Sequence, residues 1–148
     1  MEFQRVFLAL AVCAFAVSCR SQDAMDKIAA SHIEGNAPKS EVFDRYLKRD
    51  LKSYFCAQGK DCVIEYELLR DSPTQTGIAY PKYYVWVKCS KKNATTSEGA
   101  VRVAAREQTE FDVTDFLSRE EILASPSRVT TIFPAALADK IVKKARDK

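Results

Sequence analysis

The clearest hydrophobic pattern in the chain lies between residues 40 and 55. Its apolar side chains recur every three or four residues and therefore gather on one side of a helix. They are Val42, Phe43, Tyr46, Leu47, Leu51, Tyr54 and Phe55. Ser40 offers an N-cap, and Gly59 can adopt the left-handed conformation of a C-cap. The pattern predicts an amphipathic helix with one face available for a core.

Three later segments alternate between apolar and polar residues, which is the period of a β-strand. They are residues 62–70, 82–89 and 99–106, separated by the turn-forming segment 71–77 and the polar segment 90–98. Residues 111–117 either prolong the third strand past a bulge or form a fourth. One apolar and one polar face favour an antiparallel sheet, because parallel strands are usually apolar on both faces.

The last third of the chain predicts short helices. Ser118 and Glu121 have the spacing of a capping box, and Pro126 ends the helix that this box opens. Pro134, at a first helical turn, then starts a final helix. Its apolar side is formed by Leu137, Ile141 and Ala145.

These elements together predict a single α+β domain over residues 40–148. The N-terminal helix packs on a three- or four-stranded antiparallel sheet, and short C-terminal helices follow. Over about residues 40–117 the order of elements resembles that of cystatin-like and NTF2-like domains. Both groups are scaffolds for many functions, so the resemblance implies a fold and no activity.

The first 18 residues have the pattern of a secretory signal. Arg5 makes the start positive, and Val6–Val17 is an uninterrupted apolar run of twelve residues. A helix that crosses a bilayer needs about 20 apolar residues, so this run is typical of a cleaved signal. Residues 16–19, Ala-Val-Ser-Cys, resemble a bacterial lipobox, in which a small residue precedes the cysteine that receives lipid.

The lipoprotein resemblance implies removal of residues 1–18 and lipid on Cys19. Residues 19–39 are then a lipidated tether, with one helical turn around residues 25–33. Arg20, rather than an aspartate, implies the outer membrane by similarity to Gram-negative lipoproteins. Residues 16–19 also fit an ordinary signal-peptidase site, and cleavage there would give a periplasmic or secreted protein.

Composition narrows the classes of function. The 148 residues include 23 Lys and Arg, 20 Asp and Glu and one His, for a net charge of +3. Dedicated nucleic-acid binders concentrate far more basic residues, and a single histidine excludes two-His metal sites and most His-based catalysis. Phosphate-binding and nucleophile motifs are absent from the sequence. We therefore predict no enzyme, no cofactor, no metal and no nucleic-acid partner.

Export into an oxidising compartment predicts one disulfide among Cys56, Cys62 and Cys89. The short loop between Cys56 and Cys62 favours that pair and leaves Cys89 reduced on the apolar face of the sheet. The alternative is Cys62–Cys89. If Arg70 pairs with Pro81 across the first turn, these two cysteines lie directly opposite each other.

The polar face of the predicted sheet is the candidate binding surface. Alternation places Tyr84, Trp86, Arg102 and Arg106 there, beside the paired carboxylates Glu65 and Glu67. Aromatic and arginine side chains dominate binding hot spots. The carboxylates lie among basic residues, so we expect them to be ionised and paired rather than catalytic.

The sequence thus predicts a lipid-anchored envelope protein that acts as a non-catalytic binding or scaffold module. Its partners are the membrane, through the lipid anchor, and a protein or small ligand on the polar face. A secreted inhibitor or immunity-type protein is the alternative, followed by an NTF2-like enzyme.

Overall fold

A computed structural model describes residues 22–56, 61–92 and 94–147. A four-stranded antiparallel sheet lies between helices on both of its faces. The predicted α+β fold, with N-terminal helix, antiparallel sheet and short C-terminal helices, is confirmed. The signal segment 1–18, the lipidation residue Cys19 and the predicted C-cap Gly59 lie outside the described residues.

Two helices precede the sheet, α1 over residues 22–36 and α2 over Ser40–Phe55. Helix α1 is longer than the single predicted turn, because residues 23–34 are rich in alanine and contain no glycine or proline. Its C-terminal end is fixed to the domain. The backbone N–H of Gln108 donates to the Asn36 carbonyl at 2.9 Å, and Gln108 Nε2 donates to the Glu34 carbonyl at 2.9 Å.

The sheet has the order β1-β2-β3-β4, so each strand pairs with its neighbour in the chain. The strands are Val63–Leu68, Lys82–Lys91, Ala94–Arg106 and Glu110–Ser118. The prediction of a loop over residues 90–98 is wrong, because most of this segment extends β2 and β3 into a long hairpin. Residues 111–117 belong to a fourth strand, since Glu107 and Gln108 reverse the chain with φ values of 49° and 60°.

The register between β1 and β2 is shifted by two residues from the assumed one. Ile64 lies opposite Cys89, so Cys62 is not directly across from Cys89. The assumed pairing of Arg70 with Pro81 is wrong, because β1 ends at Leu68 and a longer connection follows. A shift by an even number of residues leaves each side chain on its predicted face.

Helix α2 closes one face of the sheet. Leu47 and Leu51 are fully buried against Val85, Val87 and Val101. Phe43 extends this core through edge-to-face contacts with Tyr83 and Phe111, each with ring centroids 5.0 Å apart.

The C-terminal helices close the other face. They are α3 (Arg119–Ala124), α4 (Val129–Ile132) and α5 (Ala135–Arg146), with a 3₁₀ turn at Pro126–Arg128 between α3 and α4. The capping box predicted at Ser118 and Glu121 is confirmed. Leu137, Ile141 and Ala145 form the buried side of α5, as the sequence predicts.

Candidate functional site

The predicted binding face is covered by the C-terminal helices. Tyr84 and Trp86 are each only 4% exposed, and they share a core with Phe133, Leu137 and Ile141. Trp86 Nε1 donates a hydrogen bond to Glu98 at 3.1 Å, which satisfies the indole within this core. The prediction that Tyr84 and Trp86 face an external partner is therefore wrong. The apolar sides of α3, α4 and α5 pack against this face of the sheet, because burial removes them from water.

The two arginines predicted for this face make intramolecular contacts. Arg102 pairs with Asp115 and donates to the Ile132 carbonyl at 2.9 Å, which ties the sheet to the end of α4. Arg106 pairs with Asp112 at 2.9 Å, and this hydrogen bond raises the pKa of the guanidinium. Both side chains stabilise the domain.

The paired carboxylates lie at the edge of the same face. Lys144 Nζ of α5 donates to Glu67 at 2.5 Å. This hydrogen bond lowers the pKa of Glu67, whereas a general acid at neutral pH needs a raised one. Glu67 therefore fastens α5 to the edge of the sheet.

One signal in the sequence could have revealed the covered face. Residues 83–87 read Tyr-Tyr-Val-Trp-Val, which is apolar on both sides of β2. A strand buried on both faces shows such a continuous apolar run, even in an antiparallel sheet. The alternation of residues predicts correctly which face of the sheet each side chain occupies. Whether that face is exposed to solvent depends on the helices that pack on it.

The connection between β1 and β2 carries a feature that sequence reasoning missed. We call residues 74–82 the Ile78 loop. Its base is an antiparallel bridge, in which Thr74 and Lys82 exchange two backbone hydrogen bonds of 2.9 Å. Thr74 Oγ1 also lies 2.6 Å from the Tyr84 hydroxyl, which joins the base to the core.

The tip of the Ile78 loop is a hydrogen-bonded turn. The Ala79 N–H donates to the Thr76 carbonyl at 3.1 Å, and Gln75 Nε2 donates to the carbonyls of Gly77 and Ala79. Gly77 has a φ of 54°, a conformation that glycine adopts without strain. These hydrogen bonds order the turn.

Apolar side chains project from this turn. Ile78 is 84% exposed and Tyr80 is 41% exposed. The Arg106 guanidinium lies over the Tyr80 ring, 5.4 Å from its centroid. A fixed isoleucine beside an aromatic–arginine pair is an arrangement suited to a pocket on another protein.

A second candidate feature is a cluster of sulfur atoms. The predicted Cys56–Cys62 disulfide is present, and Cys89 is a free cysteine that is 1% exposed. The Sγ atoms of the three cysteines all lie within 4.8 Å of one another. Because the disulfide occupies two of these sulfurs, the cluster in this form offers a metal a single thiol.

No helix within the described ranges 22–56, 61–92 and 94–147 has both the length and the apolar character needed to cross a membrane. The chain matches no protein-family model, no curated protein sequence and no solved structure.

Proposed function

We propose that this chain is a lipid-anchored cell-envelope protein whose domain binds a partner protein through the Ile78 loop and catalyses no reaction. The exported location is supported by the apolar run Val6–Val17. The lipid anchor is supported by Cys19 and the three residues before it. The proposed partner surface is the Ile78 loop and not the covered face of the sheet, which the sequence predicted.

The observation that carries the binding proposal is the 84% exposure of Ile78 on a hydrogen-bonded turn. Burial of an isoleucine side chain contributes about 1.5–3 kcal/mol. A turn that is already ordered loses little conformational entropy when it binds. The proposed partner presents an apolar pocket for Ile78, with an edge that accommodates Tyr80.

The proposal that the chain catalyses no reaction is supported by the contact of Glu67 with Lys144. Glu65 and Glu67 are the paired acidic residues on the covered face, and the ion pair with Lys144 favours the ionised form of Glu67. An ionised carboxylate held by a lysine serves neither as a general acid nor as a readily available base. This part of the site is thus suited to structural pairing.

A photocrosslinking experiment in intact cells tests the binding proposal. A benzophenone amino acid in place of Tyr80 should give a discrete protein adduct after irradiation. Adding Ile78→Asp should reduce that adduct about tenfold or more, because a charged side chain cannot enter an apolar pocket without large desolvation cost.

The matched control carries the same crosslinker in place of Val63. This residue is also apolar and 63% exposed, but it lies on β1, outside the loop. Equal protein adducts from positions 63 and 80 would contradict a specific loop surface. Adducts with lipid alone would show that the loop contacts the membrane and would overturn the proposed partner.

A further inference from the structure

We propose that Cys56, Cys62 and Cys89 form one exchangeable site, in which Cys89 displaces Cys56 from its disulfide with Cys62. The exchange leaves Cys56 as a free thiol at the end of α2, where thiol-reactive compounds can modify it. This inference is independent of the Ile78 loop and of the lipid anchor.

The distances between the sulfur atoms support the exchange. All three Sγ atoms lie within 4.8 Å of one another, whereas bonded sulfurs are separated by about 2 Å. Rotation of a cysteine side chain between staggered rotamers moves its sulfur by about 3 Å. Rotamer changes, together with a small backbone shift at Cys62, which lies just before β1, can therefore bring Cys89 to bonding distance while the strands stay paired.

The position of the cysteines in the sheet identifies the new pair. Ile64 lies directly opposite Cys89, and Cys62 is two residues before Ile64. Cys62 and Cys89 therefore point to the same face, and both contact the core beneath α2. The Thr96 hydroxyl lies 3.2 Å from the Cys89 carbonyl oxygen and 3.4 Å from Cys89 Sγ, so its single proton does not hold the sulfur in one rotamer.

The reaction is an internal thiol–disulfide exchange. The sulfur of Cys89 attacks Sγ of Cys62 as its thiol proton leaves. The bond between Cys62 and Cys56 breaks, its electron pair leaves on Cys56 Sγ, and that sulfur takes up a proton. One disulfide and one thiol are present before and after, so neither an oxidant nor a reductant is consumed.

The exchange moves the free thiol from a fully buried position to a partly exposed one. Cys89 is 1% exposed, whereas Cys56 is only partly buried at the C-terminal end of α2. A reagent that cannot reach Cys89 can therefore reach Cys56 in the exchanged form. Cys56 is the residue on which we expect covalent modification.

Alkylation of the full chain without reductant tests the proposal. Trypsin separates the three cysteines into the peptides 53–60, 61–70 and 89–91. Prolonged treatment with N-ethylmaleimide should label peptide 53–60, and the same molecules should contain peptides 61–70 and 89–91 joined by a disulfide. Label on Cys89 with an intact Cys56–Cys62 bridge would overturn the proposal, and so would label on Cys62.

Two cysteine substitutions provide a second test of the exchange. Cys89→Ser should abolish labelling of Cys56, because the thiol that attacks the disulfide in this proposal is removed. Cys56→Ser, treated with oxidised glutathione, should form Cys62–Cys89. A folded Cys56→Ser protein that retains two free thiols at these positions would overturn the proposal. If this variant does not fold, the labelling of the unsubstituted chain decides.

Discussion

Gly99 is the residue at which the sheet leaves no room for a side chain. It lies in β3, between Val87 on β2 and Ser118 on β4. A Cβ atom at this position would lie 2.8 Å from the Phe116 ring and 2.9 Å from Ser118 Cα, and closer still to the Leu117 carbonyl oxygen. Backbone atoms are among these neighbours, so the strands themselves would have to separate.

We expect Gly99→Ala to lower the free energy of unfolding by about 1–3 kcal/mol, the usual cost of overpacking a core. Urea unfolding at neutral pH measures the change. Gly35→Ala is the matched control, because a Cβ there meets nothing within 4 Å. That substitution lies in α1 and should be neutral or stabilising by up to about 1 kcal/mol. Equal destabilisation by both variants would contradict a steric role for Gly99.

Individual residues differ in how well the sequence predicts their surroundings. Leu47 and Leu51 recur at helical spacing, which was enough to predict their burial under the sheet. Trp86 was assigned to the correct face, but its exposure depends on α5, which comes more than 40 residues later. Ile78 lies in a segment whose apolar residues follow neither the helix nor the strand period, so no sequence pattern indicates that its side chain projects into solvent.

Helix α3 shows how a short element is held by its first turn. The Ser118 side chain accepts from the Glu121 N–H, and the Glu121 carboxylate accepts from the Ser118 N–H at 3.0 Å. This backbone hydrogen bond is the largest influence lowering the pKa of Glu121, followed by the hydrogen bond from Arg128. The charged carboxylate is therefore the form that stabilises the start of α3.

The lowered pKa of Glu121 predicts a pH dependence of stability. Its contribution is present above the ordinary pKa of 4.5 and is lost as the pH falls through the lower pKa of the folded state. Glu121→Gln retains an acceptor for the Ser118 N–H but cannot titrate. The stability advantage of the unsubstituted protein over this variant should be up to about 1 kcal/mol at pH 7 and should disappear in acid.

Thermal unfolding between pH 7 and pH 3 measures this difference. Glu120→Gln is the control, because Glu120 is exposed in the same turn and lies outside the capping box. If the stability of Glu121→Gln and that of the unsubstituted protein fall by the same amount between pH 7 and pH 3, Glu121 does not contribute to the loss of stability in acid.

Among the elements, those with regular spacing were predicted best. The capping box, α2 and the buried side of α5 follow from local patterns that packing does not alter. The β2–β3 hairpin was predicted too short because Thr95, Thr96 and Ser97 are polar. Thr95 pairs with Ser90 and Ser97 with Cys89 whatever the polarity of their side chains, and Thr96 is the extra residue at a bulge between these pairs.

The domain as a whole has helices on both faces of one sheet, and its second layer is fastened at the edges. Lys144 binds Glu67 and Lys140 donates to the Leu69 carbonyl, and within the second layer Arg119 of α3 donates to the carbonyl of Asp147, the residue after α5. At the opposite end of the chain, the described part of α1 starts at residue 22, three residues after the proposed lipid attachment site.

The anchor gives a prediction for the whole molecule. Cys19→Ala should move the mature protein from the membrane fraction to the soluble envelope fraction, because this substitution removes the proposed site of the lipid. Cys13→Ala is the matched control, since it changes a cysteine within the apolar run and should leave the fractionation unchanged. Membrane association that survives Cys19→Ala would contradict lipid anchoring.

The strand order also bears on how this protein folds. Every strand pairs with the strand next to it in the chain, so the sheet contains no crossover connection. Hairpins of this kind close short loops, which costs less chain entropy than the joining of distant segments. The β2–β3–β4 meander can therefore form early, with α2 and α5 docking on its two faces afterwards. Such a local topology favours fast folding and shortens the time during which Trp86 and its apolar neighbours are exposed to other chains.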